Sequence, residues 1–85
     1  MNPERLMRRI ASGALANVGF SDFRRVVEAY GFRLVRVAGG HHAFAHRGVP
    51  EMLNLQPVSG EAKPHQIRQF VRLVERYNLK MEQGR

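Results

Sequence analysis

No cysteine occurs in the 85-residue chain, which excludes disulfides, thiolate metal centres and a cysteine nucleophile. Lysine is scarce as well. Of the 14 Lys and Arg residues only Lys63 and Lys80 are lysine, so the positive charge sits on guanidinium groups suited to bidentate contact with phosphate. Acidic residues number only 7, and the net charge of +7 with an isoelectric point near 11.3 suits a nucleic acid, an anionic membrane surface or an acidic protein without choosing among them. Long apolar runs are missing. Nothing approaches the roughly 20 residues of a spanning helix, and no secretory leader opens the sequence, so the expectation is a cytoplasmic protein with no membrane contact. None of Ser12, Ser21 and Ser59 stands in a nucleophile motif. The length argues for one domain, burying about 60 to 65% of its unfolded surface. A site on it is therefore shallow, or completed by substrate or by another chain.

Periodicity then gives the elements. Asn2-Pro3 is a cap followed by proline at the first helical position, and Leu6, Met7 and Ile10 form an apolar stripe among Arg5, Arg8 and Arg9. Residues 11–17 are mostly small and form a connector, so residues 1–19 are taken as an N-terminal helical extension and residues 20–85 as the main domain. Ser21 is the expected cap of a second helix, with Asp22 in its first turn, Phe23, Val26, Val27 and Tyr30 on one face and Gly31 as its stop. A strand is expected over 32–37, with Arg33 and Arg36 on opposite faces in the absence of a bulge. Two more follow at about 42–46 and 52–55, separated by the turn Arg47-Gly48-Val49-Pro50, with Leu53 and Leu55 sharing a face. Pro57 and Ser59-Gly60 end the sheet region. Ile67, Phe70, Val71, Val74 and Tyr77 mark a final amphipathic helix closed by Asn78. The expected fold class is α+β: a three-stranded antiparallel sheet in α-β-β-β-α order with two helices on one face, plus the short N-terminal helix, the arrangement of a double-stranded RNA-binding domain.

The candidate chemistry begins at Gly39-Gly40-His41-His42-Ala43-Phe44. Imidazole is the side chain that both takes and gives a proton near neutrality. On a regular strand His42 and Phe44 point one way and His41, Ala43 and Ala45 the other. Phe44 belongs in the core, which makes His42 the inward or edge-facing imidazole and His41 the one on the open face. A one-residue slip would exchange them, and two ordinary strand-start histidines bonded to local carbonyls are the alternative. Neighbouring strand residues cannot easily share one ion, and His46 and His65 lie at no ligand spacing, so no metal site is expected. Lys63-Pro64-His65 opens the last helix, where the macrodipole disfavours a cation unless an anion binds there. A lysine that simply points into solvent is the alternative.

Gly31-Phe32-Arg33-Leu34-Val35-Arg36-Val37 followed by Gly39-Gly40-His41-His42-Ala43-Phe44 resembles the signature of the first two strands in the HicA family of toxin mRNA interferases, from type II HicA/HicB toxin-antitoxin systems. The stretches 51–56 and 60–70, from Glu51-Met52-Leu53-Asn54-Leu55-Gln56 to Lys63-Pro64-His65-Gln66-Ile67-Arg68-Gln69-Phe70, are similar to one subgroup of that family, and the resemblance spans about residues 20–79. It implies a double-stranded-RNA-binding-like fold, endoribonuclease activity on mRNA without a cofactor, and neutralisation by a HicB-type antitoxin protein. The family's catalytic histidine follows Gly-Ser or Gly-Thr, which transfers to His41, with His42 in reserve. Gly40 stands where the family has the hydroxyl residue, and His65 stands where the subgroup has an aromatic. The expectation is a metal-free endoribonuclease with His41 or His42 as general acid/base and Arg36, Gly39, Gly40, Lys63 and His65 on the RNA. The alternatives are a non-catalytic basic RNA-binding module or inactive toxin homologue, and an interaction subunit for an acidic protein.

Overall fold

The computed structural model describes residues 1–82 as three helices and three strands: α1 (Pro3–Ala11), α2 (Phe20–Ala29), β1 (Arg33–Ala38), β2 (His41–His46), β3 (Val49–Leu55) and α3 (Pro64–Arg76). The chain is thus α+β. Asn2 caps α1 as its sequence requires, its extended backbone letting the side chain accept from the Arg5 amide at 2.8 Å. Leu6 and Ile10, one turn apart on α1, are buried in the same cluster as Phe23, Val26 and Val27 of α2.

The start of α2 differs from the expectation. Phe20 is already helical and Gly19, not Ser21, is the cap residue. The reason is tertiary: the Phe20 amide donates to the Gly60 carbonyl at 2.9 Å, and Gly19 pairs with Glu61. A backbone from forty residues away satisfies the helix end that a serine hydroxyl otherwise serves. At the other end Gly31 adopts a φ of +93° and stops α2 as expected. The positive φ is what favours glycine there, since the Glu82 carboxylate, 2.5 Å from where a Cβ would stand, is the end of a flexible side chain that can move aside.

The strands form one antiparallel sheet in the order β1-β2-β3, with Leu34 opposite Phe44, Phe44 opposite Leu53 and His42 opposite Leu55. Between Leu34 and Arg36 the register shifts, because Val35 is an extra residue in β1. Arg33 opposite Ala45 and Arg36 opposite Ala43 therefore share a face, against the unbulged expectation. The turn between β2 and β3 is also tighter than expected: only Arg47 and Gly48 lie outside the strands. The Gly48 amide donates to His46 Nδ1 at 2.9 Å and braces that turn, while Pro50 is accommodated because β3 is an edge strand.

Phe44, Leu53 and Leu55 meet Phe23, Ile67 and Phe70 in the core. Phe70 sits edge-on to Phe23, Tyr30 and Phe32, with centroids 5.5, 5.6 and 5.9 Å away, a geometry that adds to the burial of each ring. Leu73 completes the buried stripe of α3, whereas Val71, Val74 and Tyr77, expected on that stripe, are only partly buried. No polar side chain is buried among the described residues, and none of their helices is long and apolar enough to cross a membrane. The second face of the sheet carries Arg33, Arg36, His41 and Asn54, all exposed.

Candidate nucleic-acid interface

Gly39 and Gly40 join β1 to β2 with φ values of +56° and +84°, a left-handed pair that side-chain-bearing residues adopt only with strain. Nothing lies within 4 Å of where either Cβ would stand, so the turn is open backbone accessible to a ligand. His41 follows at once. It is exposed, lies opposite Ala38, and its side chain makes no hydrogen bond to the described residues.

Its neighbour faces the other way and is held. The His42 ring packs against Phe20 at 5.0 Å between centroids, and its Nδ1 lies 3.0 Å from the Gly40 carbonyl oxygen. A carbonyl only accepts, so Nδ1 is the donor in this contact. Thus the bond to a local carbonyl is met by His42 and not by His41. The inward and outward placement follows the alternation read from Phe44, which is fully buried.

Several segments converge on this end of the sheet. Phe20 opens α2, Leu55 opposite His42 closes β3, and the Gln56 amide donates to Gln66 Oε1 in the first turn of α3 at 2.9 Å. The starts of α2 and α3 therefore lie at the end where β2 begins. Neither helix has a side-chain cap bond, and Lys63 occupies the cap position of α3 with Pro64 behind it. Lys63 is half-buried and His65 exposed, and neither bonds to another side chain among the described residues. The structure thus brings Gly39, Gly40, His42, Lys63 and His65 to one end of the molecule, while His41 and Arg36 occupy the open face running away from it.

Three participants were not singled out in the sequence. Phe20, the support of His42, had the signal of an aromatic at a helix start. Asn54 had alternation with Leu53 and Leu55, which places it on the open face beside Ala43. Arg33 had no readable signal, because the bulge that turns Arg36 onto its face depends on the pairing of β1 with β2. Among the described residues no three His, Asp or Glu side chains gather as a metal site. The carboxylate most altered by its surroundings is remote from the histidines: Glu51 accepts from Tyr77 at 2.5 Å and from Arg76 at 2.9 Å, and those bonds hold it below its ordinary pKa. Compared with protein-family models, curated proteins and solved structures, the chain matches none.

Proposed function

We propose that this chain is a small cytoplasmic endoribonuclease of the HicA toxin type, built on a double-stranded-RNA-binding-like fold and restrained by an acidic HicB-type antitoxin. The observation that carries the reading is the position of His41: exposed, beside two open left-handed glycines, and on the same sheet face as Arg36. In the reaction the ribose 2′-hydroxyl attacks the adjacent phosphorus. An imidazole takes the hydroxyl proton, the P–O5′ bond breaks, and a proton passes to the departing 5′-oxygen, leaving a 2′,3′-cyclic phosphate and a 5′-hydroxyl end. His41 serves as the proton carrier, with His42 as its understudy. Arg36 and Lys63 offset the charge that builds on the phosphate, and the bare Gly39-Gly40 backbone lets the phosphodiester approach.

Gly40 offers no hydroxyl, and a non-catalytic RNA-binding module on the same basic face is the second reading. Expression of wild type and His41→Ala separates the two. The cleaving protein arrests growth and cuts purified mRNA in excess EDTA, and His41→Ala does neither while keeping a native circular dichroism spectrum. Unaltered cutting by both His41→Ala and His42→Ala ends the catalytic reading.

A further inference from the structure

The sequence of β1 places two arginines three residues apart, a spacing that regular pairing sends to opposite faces. The bulge reverses this. With Val35 absorbed as an extra residue and 55% exposed, Arg36 returns to the face of Arg33, and successive rows across β1 and β2 read Ala38–His41, Arg36–Ala43 and Arg33–Ala45. Alternate residues of β2 are about 6.6 Å apart along the strand. Projected on the strand direction, the imidazole on β2 and the two guanidinium groups on β1 thus follow each other in successive rows, an order that suits successive phosphates of one RNA strand.

The rest of the face suits such a strand. Between the cations lie Ala43, which is buried, and Ala45, which is half-buried, neither with a side chain long enough to obstruct a strand, and Asn54 stands across from Arg36 beside Ala43. Within the strands no carboxylate opposes the row: the one acidic residue there, Glu51, turns to the helix side to meet Tyr77 and Arg76. Arg33 and Arg36 pair with no carboxylate among the described residues. At its far end the face opens into a shallow hollow of about 560 Å³ bordered by Arg33, Val35, Ala45, Arg47 and Glu82, so a carboxylate joins the row only there.

Duplex RNA fits this arrangement poorly. Duplex-binding modules contact two successive minor grooves and the major-groove phosphates between them, whereas the cations of this face lie in one line along the strands. A single line of cations on a flat face tracks one strand.

We propose that the open sheet face is a track for single-stranded RNA, in which the phosphate being cleaved sits at His41 and the next two lie at Arg36 and Arg33. The role given to His41 rests on the endoribonuclease reading; the track itself rests on the bulge and the charge pattern. The face has no Phe, Tyr or Trp to stack bases, so the track grips backbone and selects weakly by sequence.

A neutral-phosphate scan tests it. Ten-nucleotide single strands, each with one methylphosphonate, are cut under single-turnover conditions, and their binding to His41→Ala protein is measured in parallel. Two consecutive positions beside the cleaved bond each weaken binding by about tenfold, the loss expected for one charge-assisted contact. Arg36→Gln removes the sensitivity at the nearer position and Arg33→Gln at the farther one, whereas Arg68→Gln on α3 keeps both. The matching duplex binds at least tenfold more weakly. Cleavage with unchanged sensitivity in Arg33→Gln and Arg36→Gln, or preference for duplex, overturns the track and leaves the ribonuclease standing. Position-specific binding without any cleavage by wild type keeps the track and removes the ribonuclease. No binding of any RNA removes both.

Discussion

On its covered face the sheet presents Phe44, Leu53 and Leu55, all buried against α2 and α3; on its open face it presents Arg33, Arg36, His41 and Asn54, all exposed. Both faces come from the same three strands, and in β2 they alternate residue by residue. His42 and Phe44 answer to packing, whereas His41 answers to nothing else in the described fold. Adjacent positions are thus under different physical constraints, and substitution on one face should cost stability while substitution on the other costs chemistry.

Phe44→Ala on the covered face should have the largest effect. Removing a fully buried ring costs about 3–5 kcal/mol, a large share of the 5–15 kcal/mol that holds a typical domain together. Urea unfolding followed by circular dichroism reads the loss directly. A change below about 1 kcal/mol, typical of peripheral sites, would show that the two faces are not divided as described.

The histidine pair sharpens the same contrast. His41→Ala should lower cleavage by about 10²–10⁴, the usual contribution of a positioned acid or base, with stability shifted by no more than about 0.5 kcal/mol. His42→Ala should show the reverse balance: it gives up the contact with Phe20 and the bond to Gly40, costing about 1 kcal/mol, and retains most of the cleavage rate. If instead His42→Ala carries the kinetic loss, the catalytic ring is the one held against Phe20.

Much of this division was readable beforehand. The cap at Asn2, the stop at Gly31, the order of strands and the facing of His41 away from Phe44 follow from local chemistry and a period of two, which need no partner segment. The features that escaped depend on distant chain. Gly19 can end a helix without a side-chain cap only because Gly60 and Glu61 come to it. Pro50 can lie within a strand only because β3 has a free edge, and Arg36 can join Arg33 only because β2 pairs on either side of Val35. Leu73 reads as one apolar residue among several until α3 is set against the sheet. For the candidate site, the histidines, the glycines and Arg36 were named from the sequence, and the alignment of Arg33 with Arg36 on one face was not.

Far from the histidines, the clasp of Glu51 with Tyr77 and Arg76 joins β3 to the end of α3 and gives the fold a pH dependence. Its Tyr77 bond is the main cause of the lowered Glu51 pKa, with Arg76 assisting, so the stabilisation is present above the ordinary 4.5 and is lost as acid protonates the folded carboxylate. Tyr77 has the opposite sign: the bond to Glu51 and then desolvation raise its pKa, so stability is present below the ordinary 10.0 and lost as pH rises through the folded value. Glu51→Gln should therefore be less stable than wild type near neutrality, and the gap should narrow below pH 4.5 in urea titrations. RNA cleavage at neutral pH should not change. A gap that stays constant in acid would mean that the clasp carries no titrating stabilisation.

The smallest effect is expected at Lys63, where the covered-face scaffold and the RNA-facing surface meet in a single residue. As the cap of α3 it bonds no backbone amide with its side chain, and its charge opposes the helix dipole. Lys63→Asp supplies both a capping acceptor and a favourable charge, so stability should rise by about 1 kcal/mol, or about 4–8 °C in Tm for a domain of this size. RNA binding should move the other way. Loss of one phosphate contact weakens affinity and reduces the magnitude of the salt slope by about 0.7 for a single strand, a change measurable with His41→Ala protein so that no RNA is cut. Stability rising while the salt slope holds would assign Lys63 to the scaffold alone. A fall in both stability and affinity would mean that the lysine supports the start of α3 through its aliphatic stem, and the separation between packing and phosphate contact would fail at this residue.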